Sequence, residues 1–344
     1  MNVLAPPPAA RTRRLDLDRA KGVAILLVVF GHIVATTPPP GVEWWDTLRY
    51  AIYRFHMPFF LYLSGYAAWL SGAIRTSDRD LPAFAWRRAK RLLVPFLLLG
   101  VIVLFGKLAA ERVVHVDNQP EGLLGGLRDL VLTTENSPAT FIWFLWVLFL
   151  CSVVAPPAWR RIGTPGLLIA GLVLMATGLP AVFYLDRFAR HAVFFAAGIA
   201  VAQHEARLLP RFAEAQPLWW GLFAAALVLA VLDWRMAWFW LPGESSMLLC
   251  GLLAIPALHG SMLVAPVARW RWPLSLGRET MAIYLFNVIA IGLVKAVLIA
   301  AGIGWTEQGF AIHAPVLMAA GLLLPILFKR LVLRRVPALD RMTD

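Results

Sequence analysis

Residues 15–35, LDLDRAKGVAILLVVFGHIVA, decide the fold class of this chain. An unbroken apolar run follows Lys21, and His32 is the ionisable residue within it. Helices that are apolar on every side are typical of membrane spans or of the centre of a bundle. Because the run carries a histidine, ends in ATTPPPG and has further apolar runs behind it, we predict a retained first span rather than a cleaved signal.

The rest of the chain has the same apolar character. Of its 344 residues, 60% are hydrophobic and 15% are charged, and the mean hydropathy is +0.70. A soluble fold of this size needs more polar surface than that. The apolar residues also lie in long runs and do not alternate with polar ones. These features predict an all-α polytopic membrane protein.

The apolar runs predict a bundle of about ten transmembrane helices. Lys and Arg are concentrated in the alternate connecting segments that include the N- and C-terminal ones, so the positive-inside rule predicts that both termini are cytoplasmic. The predicted organisation is a disordered basic arm over 1–14, a ten-helix membrane domain over 15–335 and a short cytoplasmic tail over 336–344. The predicted spans are about 20–37, 51–73, 92–110, 140–157, 163–183, 188–203, 217–233, 246–265, 280–302 and 312–333.

The basic charge and the cysteines fit this class and exclude others. The net charge is +12, but the basic residues lie in short loops between apolar runs, so we expect membrane lipid and no nucleic acid as partner. Cys151 and Cys250 each lie inside an apolar run and are interpreted as small buried residues. Since the chain has no metal-binding motif, we expect no metal site.

Ionisable groups inside a membrane helix are candidates for function, and the first span has most of them. Lys21 and His32 are eleven positions apart, which places them on one helix face and about 16 Å apart along the axis. Asp18 lies one turn before Lys21 and is near enough to pair with it. The alternative for His32 is a neutral histidine that is hydrogen-bonded to a neighbouring helix.

Polar residues near the outer ends of the predicted spans form a second group. His56 lies at about the same depth as His32, so the two histidines are predicted to face a common cavity; the alternative is an interfacial histidine. Arg54 and Trp143 are weaker candidates for the same site, and Trp143 otherwise belongs to an aromatic belt.

The third span opens with a basic cluster, Arg87, Arg88 and Arg91. Arg88 and Arg91 are one turn apart, and paired guanidinium groups suit a multiply charged phosphate ligand. The alternative is an ordinary positive-inside anchor. In the ninth span, Asn287 is predicted to join two helices, and Lys295 is a further buried candidate.

Five segments in this order resemble the acyltransferase-3 family of transmembrane acyltransferases. They are DRAKG with VVFGH (18–32), FHMPFFLYLSGY (55–66), RRAKRLLVPF (87–96), WFLW (143–146) and LGRETMAIYLFN (276–287). The first two look most like the fucose 4-O-acetylase branch. The resemblance implies a ten-helix domain that transfers an acyl group, usually from cytoplasmic acetyl-CoA, to an extracytoplasmic glycan.

The same resemblance implies roles for particular residues. The basic residue and the histidine that the family needs on its first span match Lys21 and His32, with Lys where many relatives have Arg. The family's Arg-x-x-Arg matches Arg88 and Arg91. Where many relatives have a histidine at the end of the span-nine motif, this chain has Asn287, which points to His32 as the essential imidazole.

Together these residues predict an O-acyltransferase of the inner membrane with acyl-CoA as co-substrate. Lys21, Arg88 and Arg91 would hold the phosphates of CoA, and His32 would act as general base or as transient acyl acceptor. The acceptor would be a glycan or a lipid-linked sugar. Three alternatives stay open on the sequence: a transporter or flippase of glycans, another acyl donor or acceptor, and a scaffold without chemistry.

Overall fold

The computed structural model describes residues 14–34, 36–110, 120–238, 240–340 and 343. Within these ranges the regular structure is helical, apart from one isolated bridge between Thr133 and Val182. Most of the predicted arm over 1–14 lies outside the described residues. The α-helices are α1 Leu15–His32, α2 Trp44–Tyr53, α3 His56–Leu70, α4 Leu81–Ala110, α5 Gly122–Val131, α6 Trp143–Thr177, α7 Leu185–Gln203, α8 Glu205–Glu214, α9 Gln216–Met236, α10 Gly243–Ala254, α11 Trp272–Arg278, α12 Thr280–Ala300, α13 Glu307–Leu331 and α14 Pro337–Asp340.

Five helical stretches of the described chain are long and apolar enough to cross a membrane, or six if the bent pair α7–α8 is one span. Large apolar side chains such as Phe105 and Val297 are exposed on their outer faces, where lipid would cover them. Each of the ten predicted ranges overlaps helical structure, but α1, α3 and α10 are too short or too charged to qualify alone, so the predicted count of ten spans stays a prediction. The stretches are Leu81–Ala109, Thr140–Thr177, Gln216–Met236, Thr280–Ala300 and Glu307–Arg335.

Helix α6 is two antiparallel helices. A straight helix of its 35 residues would be about 52 Å long. Its beginning lies instead near the chain that follows its end, since the ring centres of Trp146 and Phe183 are 6.4 Å apart. The chain reverses at Gly163, whose φ of 65° and ψ of −173° are not helical. This reversal separates the ranges 140–157 and 163–183, which the sequence predicts as two spans.

Helix α1 lies at the centre of the bundle. It packs against α3, α11, α12 and α13, and its apolar side chains are buried on several sides. This placement explains why the helix is apolar all round although it carries four charged residues in its first two turns. The two ends of α1 therefore open toward the interior of the protein, and not toward lipid.

Helices α3 and α7 pack at backbone distance because of two glycines. A Cβ at Gly65 would lie 2.0 Å from the carbonyl oxygen of Phe195, and one at Gly198 would lie 2.1 Å from that of Tyr62. Small residues at helix interfaces are the usual means of close packing in membranes. The contact fixes α3, which carries His56, against α7.

A polar network holds the first turn of α1. Asp16 accepts hydrogen bonds from Arg14 at 2.8 Å and from the buried His259 at 3.1 Å. Arg14 also pairs with Glu205 at 2.7 Å, and Tyr66 donates to the same carboxylate. Partial burial opposes ionisation of Glu205, but the bonds from Tyr66 and Arg14 outweigh it and lower the pKa of that carboxyl. His259 lies in the π-helix Ile255–His259 that continues α10.

Candidate functional site

Two cavities lie inside the bundle and share part of their lining. The first, which we call the His32 cavity, has a volume of about 350 Å³ and also contains Arg54, His56 and Trp143. The second, the Lys21 cavity, has a volume of about 460 Å³. It contains Lys21 with its predicted partners, namely Asp18, Arg88 and Arg91. The structure thus sorts most of the predicted residues into two groups, one at each end of α1.

Three predicted residues line neither cavity. Arg87 is exposed on α4. Lys295 lies toward the far end of α12, where its Nζ sits 3.4 Å from the ring centre of Trp305. Asn287 is fully buried behind His32. A ligand role for Arg87 or for Lys295 stays a prediction, whereas Asn287 has a direct contact with the cavity's histidine.

The hydrogen bonds of Asn287 determine the tautomer of His32. The Nδ2 group of Asn287 donates to the carbonyls of Ile283 at 2.8 Å and Tyr284 at 2.9 Å. The opposite amide orientation would set an oxygen against two carbonyl oxygens, so Oδ1 must face His32. The Nδ1 atom of His32, 2.7 Å away, therefore donates to Oδ1. Neutral His32 keeps Nε2 as the unprotonated nitrogen, which is the form that a general base or nucleophile needs.

Two further histidines of the His32 cavity are oriented in a similar way. The Nδ1 of His56 donates to the carbonyl of Ile52 at 2.9 Å, and that of His191 donates to the carbonyl of Arg187 at 2.7 Å. In both cases the acceptor is one helical turn earlier in the chain. Their neutral forms also keep Nε2 unprotonated, so the cavity has three imidazoles with the same tautomer.

The two cavities meet at Met57 and Tyr284, which line both of them. The hydroxyl of Tyr284 donates to the carbonyl of Phe141 at 2.8 Å and accepts from the backbone N–H of Phe144 at 3.2 Å. Tyr284 is therefore a fixed part of this wall, and Met57 is the side chain with rotational freedom. These two side chains therefore form the part of the wall that the two cavities share.

The Lys21 cavity is basic at one end and apolar at the other. Arg278 of α11 joins Lys21, Arg88 and Arg91, against one carboxylate, that of Asp18. The apolar part reaches the shared wall, since the ring of Phe144 lies 5.6 Å from those of Phe60 and Tyr284. Leu148 and Met281 also line the cavity. A ligand with a phosphate group and a long thin arm matches this distribution of charge and apolar surface.

Sequence analysis missed several polar residues of the His32 cavity. Arg187, Arg190 and His191 line it from α7, and Glu244 lines it from α10. Arg187 lies one residue before the predicted sixth span (188–203), and positions 187, 190 and 191 follow the spacing of one helix face. This spacing is the sequence feature that could have identified the three residues as one group. The sequence does not show which side of α7 faces α1, because the α3–α7 packing decides it.

The chain belongs to a family of acyltransferases. The family described as the acyltransferase domain matches residues 14–330, and these include both cavities apart from Thr343. The match confirms the resemblance to the acyltransferase-3 family found in the sequence. It does not specify a branch of that family.

Two relatives named nodulation protein NolL share part of their length with this chain. The protein from Sinorhizobium fredii is 35% identical over 159 residues, which cover 43% of this chain and 39% of the relative. The protein from Mesorhizobium japonicum is 29% identical over 150 residues, 43% of this chain and 36% of the relative. The chain thus matches less than half the length of these curated relatives. No solved structure matches it.

Proposed function

We propose that the protein is a membrane-embedded O-acyltransferase that moves an acetyl group from cytoplasmic acetyl-CoA to a hydroxyl of an extracytoplasmic or lipid-linked glycan. One observation carries the proposal: a basic cavity and a histidine cavity meet at a wall formed by Met57 and Tyr284. An enzyme whose two substrates come from opposite sides of a membrane needs two such sites back to back. The family match supports acyl transfer, and the donor and acceptor are our inference.

The proposed orientation places the Lys21 cavity toward the cytoplasm of the inner membrane. Ten spans with both termini inside agree with the distribution of Lys and Arg. Both ends of the described chain lie near this cavity, since Thr343 lines it together with Asp18 near the start of α1. In this orientation, CoA enters from the side on which it is made.

The basic end of the Lys21 cavity would bind the phosphates of CoA. Arg88 and Arg91 offer guanidinium groups one helical turn apart, and Lys21 adds an ammonium group from the facing helix α1. The pantetheine arm would follow the apolar lining toward Met57. The thioester would then reach the wall beyond which His32 lies.

The chemistry needs one proton transfer and one exchange of acyl bonds. Nε2 of His32 takes the proton of the acceptor hydroxyl, and the oxygen attacks the thioester carbonyl. The carbon–sulfur bond breaks, and the thiolate receives the proton that the imidazolium holds. In the second route, Nε2 attacks the thioester carbonyl first, which releases the thiolate and forms an acyl-histidine. The acceptor oxygen then displaces the imidazole from the acyl carbon, and the hydroxyl proton goes to the thiolate. Both routes yield one ester and one free thiol.

The test is acetyl transfer by the purified full-length protein in detergent or liposomes, with labelled acetyl-CoA and a glycan acceptor. We expect labelled ester from the wild type and a loss of at least about 100-fold in His32→Ala, the scale of a general base. The matched control is His204→Ala, because His204 is an exposed histidine outside both cavities. A glycan transporter, or a scaffold without chemistry, would yield no labelled ester, and equal activity in His32→Ala would refute the catalytic role.

The donor site has a separate test in the same assay. Arg88→Ala and Arg91→Ala should each raise the KM for acetyl-CoA by about tenfold, because each removes a charge-assisted contact to phosphate. Arg79→Ala is the control, since Arg79 is an exposed arginine outside both cavities. An unchanged KM for acetyl-CoA in both variants would show that these arginines do not bind CoA and act only as positive-inside anchors.

A further inference from the structure

The His32 cavity has more positive than negative charge. Three guanidinium groups line it, those of Arg54, Arg187 and Arg190, against one carboxylate, that of Glu244. With neutral imidazoles the net charge of the lining is +2. A concave site with one sign of charge and low-dielectric walls concentrates ligands of the opposite sign.

Two of the three guanidinium groups already have protein partners. Arg54 donates to the carbonyl of Gly243 at 3.1 Å and stacks 4.4 Å from the ring centre of Tyr50. Arg190 lies 3.8 Å from Glu244, and both side chains are about half exposed. These two arginines therefore contribute to the structure of the cavity wall.

Arg187 differs from both. Its guanidinium lies 5.1 Å from the ring centre of Trp143 and 6.0 Å from that of Tyr184, and it is partly buried. Among the residues that the structure describes, no hydrogen bond or ion pair satisfies this group. Five N–H donors in a partly desolvated cavity favour an oxyanion partner, and a ligand of this cavity can supply it.

We infer that the acceptor of this enzyme carries an anionic group, a carboxylate or a phosphate, and that Arg187 binds it. The inference rests on the proposed function, since it treats the His32 cavity as the acceptor site. Arg187 and His32 line the same cavity of about 350 Å³, which is at the small end of ligand sites. One small acidic sugar unit would therefore place its anion at Arg187 and its hydroxyl at His32.

A competing role for Arg187 is to stabilise the oxyanion that forms during acyl transfer. The two roles differ in their dependence on the acceptor. An oxyanion stabiliser acts on every acceptor equally and contributes little to ground-state binding. An anion-binding residue selects acidic acceptors and acts in the absence of acetyl-CoA.

The experiment measures binding of three probes to the purified full chain by calorimetry without acetyl-CoA. The probes are methyl glucoside, methyl glucuronoside and glucose 1-phosphate, which are neutral, carboxylate-bearing and phosphate-bearing. We expect the wild type to bind at least one acidic probe about tenfold or more tightly than the neutral one. Tighter binding of the glucuronoside identifies the acceptor as a sugar acid. Tighter binding of glucose 1-phosphate identifies it as a phosphate-linked sugar.

Variants assign the preference to Arg187. In Arg187→Gln, the affinities for the acidic and the neutral probes should differ by no more than about twofold. Arg187→Lys should retain part of the preference for the acidic probe. The control is Arg235→Gln, which removes an exposed charge outside both cavities, near the end of α9 that contacts α2. Equal or undetectable binding of all three probes by the wild type, or an unchanged preference in Arg187→Gln, would overturn the inference.

Failure of the proposed function has a different signature from failure of this inference. If the protein binds acidic probes selectively but forms no labelled ester from acetyl-CoA, the anion site is supported and acyl transfer is refuted. Ester formation at equal rates on neutral and acidic acceptors would support acyl transfer and refute the anion site.

Discussion

The imidazole of His32 depends on the amide group behind it. Asn287 uses both of its N–H groups on carbonyls of its own helix, and so presents its oxygen to Nδ1 of His32. An amide does not titrate, so the orientation and tautomer of His32 stay the same over the whole pH range in which the imidazole is neutral. In the proposed reaction Asn287 is therefore a positioning residue, and His32 is the base.

Replacement of Asn287 tests this dependence. Asn287→Ala should lower kcat by about 10- to 100-fold, because the neutral imidazole is then free to adopt the tautomer that has its proton on Nε2. The KM for acetyl-CoA should not change, since the Lys21 cavity is not touched. Steady-state kinetics of the reconstituted enzyme separate the two parameters. Val297→Ala, at an exposed position of the same helix outside both cavities, is the control; a drop in kcat of equal size there would contradict the assignment.

Part of this site was predictable at the level of residues. The spacing of Lys21 and His32 on one helix face, and the pair Arg88 and Arg91, follow from the sequence because helical periodicity alone defines them. Arg187 was not recognised, because its role depends on which neighbour α7 packs against. Helical periodicity gives a residue's face, whereas packing between helices decides what that face meets.

At the scale of helices, the α3–α7 contact positions the histidines of the cavity. Gly65 and Gly198 let the two backbones touch near the C-terminal halves of these helices. His56 and His191 lie nearer the N-terminal ends, where both line the His32 cavity. The hydropathy of the sequence predicted both helices. It did not predict the break between α2 and α3 at Arg54 and Phe55, because an apolar run continues through a break as it does through a helix.

A methyl group at Gly65 should disrupt this contact. Gly65→Ala places a Cβ against the carbonyl oxygen of Phe195, so α3 and α7 must move apart, at a cost of about 1–3 kcal/mol. Thermal unfolding of the purified protein should show a lower Tm. Gly221→Ala in α9 is the matched control, because no neighbouring atom lies within 4 Å of a Cβ built there. Equal Tm values for the two variants would show that the interface is not tightly packed.

At the scale of the whole molecule, orientation in the membrane determines which substrate reaches which cavity. Arg211 lies in α8, before α9, and Arg235 lies in the last turn of α9, so nearly the whole 21-residue helix separates the two. In the proposed topology Arg211 is cytoplasmic and Arg235 is outside. The two native cysteines are buried, so a single introduced cysteine can report on each side.

Labelling of intact cells with an impermeant maleimide tests the orientation. Arg235→Cys should react in intact cells, and Arg211→Cys should react only after the membrane is permeabilised. The unmodified chain, with its buried cysteines, gives the background. The reverse pattern would place the Lys21 cavity outside, where no acetyl-CoA is available, and would contradict the proposed direction of transfer.

The wall formed by Met57 and Tyr284 has an electrical consequence. If water fills both cavities, the membrane potential falls mainly across these side chains, and no longer across the full hydrocarbon thickness of about 30 Å. In the proposed reaction, the acyl group moves outward while the hydroxyl proton moves inward to sulfur. The complete exchange carries no net charge through the focused field, so the voltage of an energised cell does not drive turnover.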